Sequence, residues 1–128
     1  MFKAKLSYFF HPVQNLKEAY NFFVNILGLE LVYTNLTDIT EDIIKQDIPE
    51  GLTWLELTDG NVKLLVQEVP NIKPYETGIG FYLGNCDESY VFLKNSGVEI
   101  VSHIQGVGKL RFFEIKDPTG SIFNIFGD

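Results

Sequence analysis

Apolar residues along this chain fall into two runs built alike. In the first, Leu16, Ala19, Tyr20, Phe23, Ile26 and Leu27 recur at helical spacing, entered through Asn15 with Glu18 three residues on and left at Gly28. Asn15 and Glu18 read as a capping box, and Gly28 stands where a left-handed C-cap is wanted. The second run opens at Asn85-Cys86-Asp87-Glu88, predicts a helix over 86–96 and leaves at Gly97. Strands flank both. Lys3 to Phe10 alternates partially and is expected to stop at Pro12, with Leu6, Tyr8 and Phe10 on one face. Residues 29–34, 52–57 and 62–67 complete the first copy, the last two joined by the turn Thr58-Asp59-Gly60-Asn61. Residues 79–83, 98–102, 110–116 and 121–126 supply the strands of the second, the last two joined by Asp117-Pro118-Thr119-Gly120.

Each copy therefore reads strand, helix, strand, strand, strand. A unit this short cannot cover its own apolar face, so the copies are expected to pack on each other or on a second chain. Module 1 spans about 1–68, a Pro-marked linker 69–77, and module 2 78–128, together one α+β domain. Residues 35–50 form a polar, acidic excursion read as a candidate flap over the cleft, and its counterpart is the short loop Gln105-Gly106-Val107-Gly108.

Composition narrows the function classes. With 17 acidic against 10 basic residues the net charge is -7 and no Lys/Arg cluster exists, which argues against nucleic acid. The apolar fraction of 45% supports a packed core. A single cysteine, Cys86, excludes an intrachain disulfide and makes a reducing compartment, the cytoplasm, the expected location. The opening ten residues are too short for a signal peptide's apolar region, and no stretch approaches the roughly 18 apolar residues of a membrane span.

Three segments, Val13-Gln14-Asn15-Leu16-Lys17-Glu18-Ala19-Tyr20-Asn21-Phe22-Phe23, Leu27-Gly28-Leu29 and Phe113-Glu114-Ile115-Lys116-Asp117-Pro118-Thr119-Gly120-Ser121, together with the repeat, resemble the vicinal oxygen chelate superfamily. This is the glyoxalase, bleomycin resistance and extradiol dioxygenase family. The resemblance implies two βαβββ modules forming a curled mixed sheet around a cavity, with helices on the convex face and dimerisation. Metal-dependent members place a ligand on the first strand and a Glu on the last strand of each module. Here the counting lands on Tyr8 and Gly78, and on Leu64 and Asn124 four residues past the turn glycines Gly60 and Gly120. None is a good ligand for zinc, nickel or iron. The expectation is a metal-free protein without a resident cofactor. His11 and His103 are read as strand-end or surface histidines.

If strand parity holds, the cavity face collects Tyr8, Phe10, Trp54, Glu56, Leu64, Tyr82, Phe112, Glu114, Asn124 and Phe126. Such a surface suits a flat or amphipathic molecule. Glu114 is the one candidate for a catalytic group, a general base or the partner of a cationic ligand, unless Arg111, Lys116 or a residue of the partner chain pairs with it. No nucleophile–histidine arrangement or phosphate-binding glycine loop is present. The expected function is capture of a small aromatic or cationic compound by a homodimer, of the bleomycin-resistance type. The competing one is a lyase, isomerase or dioxygenase with an atypical site.

Overall fold

The computed structural model describes residues 2–128. The chain divides into two compact units, 1–72 and 73–128, each with its own four-stranded mixed sheet.

Unit 1 contains β1 (Phe9–Val13), α1 (Leu16–Tyr20) continuing as a π-helical turn over Asn21–Ile26, β2 (Glu30–Thr34), α2 (Glu41–Gln46), β3 (Trp54–Thr58) and β4 (Lys63–Glu68), in the sheet order β1-β4-β3-β2. The parallel β1–β4 pair sets His11 beside Val66, and the antiparallel β3–β4 pair sets Leu55 beside Val66 and Leu57 beside Leu64. These residues form the buried face, and the helical segment covers it: the His11 ring meets Phe23 edge-on at 5.7 Å. Helix entry is fixed twice. Asn15 Oδ1 accepts from Glu18 N–H at 2.9 Å, and the Glu68 carboxylate, reaching from β4, accepts from Leu16 N–H at 3.0 Å. Both groups satisfy amides that a helix leaves without partners at its start. Phe22 and Phe23 are both buried, and the widened turn that follows Tyr20 accompanies their adjacent insertion into the core.

Unit 2 repeats the plan with β5 (Glu76–Tyr82), α3 (Cys86–Asn95), β6 (Glu99–Ile100), β7 (Arg111–Lys116) and β8 (Ile122–Gly127), ordered β5-β8-β7-β6. Its buried face holds Phe113, Ile115, Phe123 and Ile125, with Tyr90 of α3 edge-on to Phe113 at 5.2 Å. Asn85 caps α3 by accepting from Glu88 N–H at 2.9 Å, the same device as Asn15. A bidentate Arg111–Asp87 pair at 2.8 and 2.9 Å ties β7 to the first turn of α3.

Four expectations need correction. The first strand does not stop at Pro12 but starts at Phe9 and runs through it to Val13. It is an edge strand, which uses only part of its N–H groups in the ladder and so admits a proline. Residues 2–8 lie outside any strand, with Phe2 and Leu6 fully exposed. His11 is a core histidine rather than a surface or strand-end one, because it sits on the helix-facing side of β1. The third concerns residues 35–50, which fold onto α1. Thr40 caps α2, Ile44 is buried, Lys17 lies 4.0 Å from Asp47, and the Glu41 and Asp42 carboxylates, after burial itself, raise the Tyr20 phenol pKa. The Lys17–Asp47 contact sets the end of α2 beside α1. Asn35 secures its base: Nδ2 donates to Gly51 O at 2.8 Å while Oδ1 accepts from Thr53 and Trp54 N–H at 2.8 and 3.2 Å. The fourth is Leu64, taken up below.

Candidate functional site

Each sheet has one face covered by its helix and one face free of helices within its unit. The strand registers say which side chains share the free face. In unit 1 one row runs Phe10, Leu65, Glu56, Tyr33 across β1, β4, β3 and β2, and the next carries Pro12, Gln67 and Trp54. In unit 2 one row runs Gly80, Asn124, Glu114, and the next Tyr82, Phe126, Phe112.

Aligning buried face with buried face, so that His11–Val66–Leu55 matches Phe81–Ile125–Phe113, puts Glu56 and Glu114 at the same place in the two units. Trp54 then matches Phe112, Leu65 matches Asn124, and Phe10 matches Gly80. The matched position lies one residue further past the turn glycine in unit 1 than in unit 2, so a count of four reaches Asn124 correctly but stops short at Leu64. Leu64 is only 7% exposed and faces the helix; it does not share a face with Trp54 and Glu56, and Leu65 does. A slip of one residue turns a strand side chain to the opposite face.

The remaining candidates are placed as follows. Trp54, Glu56 and Phe10 are brought together on the free face of unit 1, and Tyr82, Phe112, Glu114, Asn124 and Phe126 on that of unit 2. Tyr8 precedes β1 and is more than half exposed. Tyr33 is a member of the face that alternation alone missed: a bulge between Leu31 and Tyr33 shifts the phase of β2, and Tyr33 ends opposite Glu56, 65% exposed. A half-open groove of about 430 Å³ along residues 31–39 begins at this edge.

The carboxylates differ in their surroundings. Glu56 Oε2 is shut off from water and accepts no hydrogen bond. Glu114 is half-buried, and the cations expected to pair with it are engaged elsewhere, Arg111 by Asp87 and Lys116 by Glu99 at 2.9 Å. Its backbone is fixed by β6's extension, where Ser102 Oγ accepts from Glu114 N–H at 3.0 Å. Phe126 occupies the space a side chain at position 80 would need: a Cβ on Gly80 would stand 2.5 Å from the ring's Cε2. Phe112 and Phe126 lie 5.9 Å apart, centroid to centroid, at 39°. Tyr82 Oη donates to Asp128 Oδ2 at 3.2 Å, a bond that raises its own pKa.

The divalent metal that the resemblance implies can be tested against these residues. Gly78 has no side chain and sits at φ +71° where β5 shifts register, so its role is in the backbone. Tyr8 offers a phenol, Leu64 and Leu65 alkyl groups, and Asn124 an amide, a donor set that does not fit zinc, nickel or iron. Among the described residues no three His, Cys, Asp or Glu side chains stand grouped to hold a metal ion. Nor is any helix long and apolar enough to cross a membrane.

No protein-family model and no curated protein sequence matches the chain. Solved structures do. A member of the glyoxalase/bleomycin resistance protein/dioxygenase superfamily from Sphaerobacter thermophilus superposes with a TM-score of 0.70 at 23% identity, covering 98% of both chains. TnmS3, an antibiotic binding protein from Streptomyces sp. CB03234, gives 0.72 at 17%, covering 99% of this chain and 98% of its own. A mutant of the fosfomycin resistance protein FosX from Listeria monocytogenes, complexed with Mn(II) and 1S,2S-dihydroxypropylphosphonic acid, gives 0.74 at 18%, covering 98% and 93%. Two βαβββ units, matched strand for strand, together with these superpositions give the chain the fold of the glyoxalase, bleomycin resistance and dioxygenase superfamily.

Proposed function

We propose that this chain captures a small aromatic or cationic molecule on the helix-free faces of its sheets, without a metal, as a cytoplasmic homodimer. The observation that carries the reading is the composition of those faces. Trp54, Tyr33 and Phe10 in unit 1, and Phe112, Phe126 and Tyr82 in unit 2, stand around single carboxylates. Aromatic walls with few, placed polar groups suit binding by stacking and orientation. The similarity in fold to an antibiotic binding protein supports it. Trp54 is the only tryptophan, so its fluorescence reports on one place. Titration with a panel of aromatic amines, planar antibiotics and bleomycin-type glycopeptides is expected to give at least one Kd in the micromolar range, around -8 kcal/mol. No response at millimolar concentration across the panel overturns the reading, and stoichiometric zinc, nickel, manganese or iron in protein purified without chelator overturns its metal-free part.

One observation favours a second reading. Because neither Arg111 nor Lys116 pairs with Glu114, that carboxylate is available as a general base for a lyase or isomerase. Turnover that is abolished by Glu114→Gln while ligand affinity is kept would decide for it.

A further inference from the structure

The two matched carboxylates are not equivalent, and the difference points to the charge of the ligand. Glu56 sits on β3, an inner strand of its sheet. Trp54 precedes it by two residues on the same face, Tyr33 lies directly opposite on β2, and Leu65 lies opposite on β4 with Phe10 beyond. Directly opposite residues hold their Cβ atoms about 5 Å apart, so these side chains form one contiguous surface. Within it Glu56 Oε2 has lost its water and found no donor. A carboxylate oxygen is removed from water at a cost that a hydrogen bond or a counter-charge normally offsets. Neither is supplied among the described residues. Among the described residues Glu56 makes no ion pair; Lys63, on the same face beside Thr58, does not reach it. The rings around it are themselves suited to a cation, because the negative face of an aromatic ring attracts positive charge.

We infer that Glu56, Trp54 and Tyr33 form a station for an organic cation, a protonated or quaternary amine, whose positive charge offsets that of the half-buried Glu56 carboxylate. This rests on the binding reading above and names the chemical class that unit 1 selects. Unit 2 has no matching station. Its counterpart of Trp54 is Phe112, its counterpart of Phe10 is Gly80, and the atoms beside Glu114 include the Asn124 amide in direct register and Ser102 behind its backbone. An amide neighbour can serve Glu114 as a donor, which Leu65 cannot do for Glu56.

The test uses 2-phenylethylamine, protonated at neutral pH, against its neutral isostere 2-phenylethanol, each titrated into the full chain while Trp54 fluorescence is followed. The amine is expected to bind at least about 10-fold more tightly than the alcohol, consistent with a charge-assisted bond plus ring contacts. Glu56→Gln is expected to abolish that preference, and Asp47→Asn, at an exposed carboxylate outside the station, to leave it intact. Added salt should weaken the amine and not the alcohol. Equal affinity of the two probes for the unaltered chain overturns the cation class while leaving the binding reading standing. A preference that survives Glu56→Gln overturns the assignment to Glu56. Failure of both probes, together with the wider panel, overturns the binding reading itself. Unchanged thermal melting of Glu56→Gln, or an increase, confirms that any loss is one of recognition and not of folding.

Discussion

Units 1 and 2 share strand order, helix entry and the position of a central glutamate, and they differ in what surrounds that glutamate. In unit 1 it lies among Trp54, Tyr33 and Leu65 with one oxygen sealed and unsatisfied. In unit 2 it lies beside Asn124, with Phe112 and Phe126 a strand-step away. The buried faces are constrained by packing, and there the copies correspond residue for residue: Leu55 with Phe113, Val66 with Ile125. The free faces carry no such constraint within a unit. They have drifted apart, and the divergence is where recognition is expected.

The comparison can be broken most forcefully through the cores. Phe23→Ala and Phe113→Ala each remove a ring with no exposure, and each is expected to destabilise by about 3–5 kcal/mol. If calorimetry shows both variants unfolding in one transition, the units depend on one another; separate transitions would mean that each copy stands alone.

A sharper instrument is the pair of glutamates. Replacing Glu56 by Leu removes an unsatisfied buried oxygen and is expected to stabilise by about 1–3 kcal/mol, whereas Glu114→Leu should change stability by about 0.5 kcal/mol or less. Equal effects in denaturant titrations would dissolve the distinction between the stations. Gly80→Ala probes the other side of it. The added methyl collides with Phe126, and the variant is expected to lose about 1–3 kcal/mol while disturbing the Phe112–Phe126 contact.

Acidification separates the units by a gentler route. Hydrogen bonds from the Val62 and Asn61 amides hold the Asp59 carboxyl below its usual range, and in unit 2 the Arg111 guanidinium does the same for Asp87. Both carboxyls have folded pKa values below the unfolded value of about 3.9, so their stabilisation is complete above that pH and is lost as pH falls through the folded value. Melting followed from about pH 6 to about pH 2 should show a shallower acid limb in Asp59→Asn and in Asp87→Asn. Only the Asp87 contribution should also shrink with salt, because it comes from an exposed ion pair. The smallest effect is expected at Lys17→Ala, where a 4.0 Å exposed contact to Asp47 is removed and the melting temperature should hardly move.

Much of this molecule was legible in the sequence because its signals are local. Asn15 and Asn85 announce helix starts three residues from the amides they cap, and Asp117-Pro118-Thr119-Gly120 encodes its own turn, with Asp117 Oδ1 accepting from Gly120 and Ser121 N–H at 3.0 and 2.8 Å. What was not legible depends on counting or on partners distant in sequence. Leu64 and Leu65 are indistinguishable as residues, and the extra residue past Gly60 decides which faces the helix. Tyr33 was hidden by a bulge. Pro12 looked like a stop because its strand's place at the sheet edge is a property of topology. Lys17 gives no hint, read along the chain, that Asp47 will come back beside it. The lone state of Glu56 is likewise a fact about every neighbour at once.

Asn35 lastly bears on how such a chain can change. By bonding Gly51 with one side-chain atom and Thr53 and Trp54 with another, it pins both ends of the 36–50 segment together at the mouth of β3. Doubling the length of such a closed segment costs only about 0.6 kcal/mol in chain entropy. The exposed tip at Thr37 and Asp38 is thus the place where added sequence is expected to be accepted, provided that the Thr40 cap and the buried Ile44 are kept.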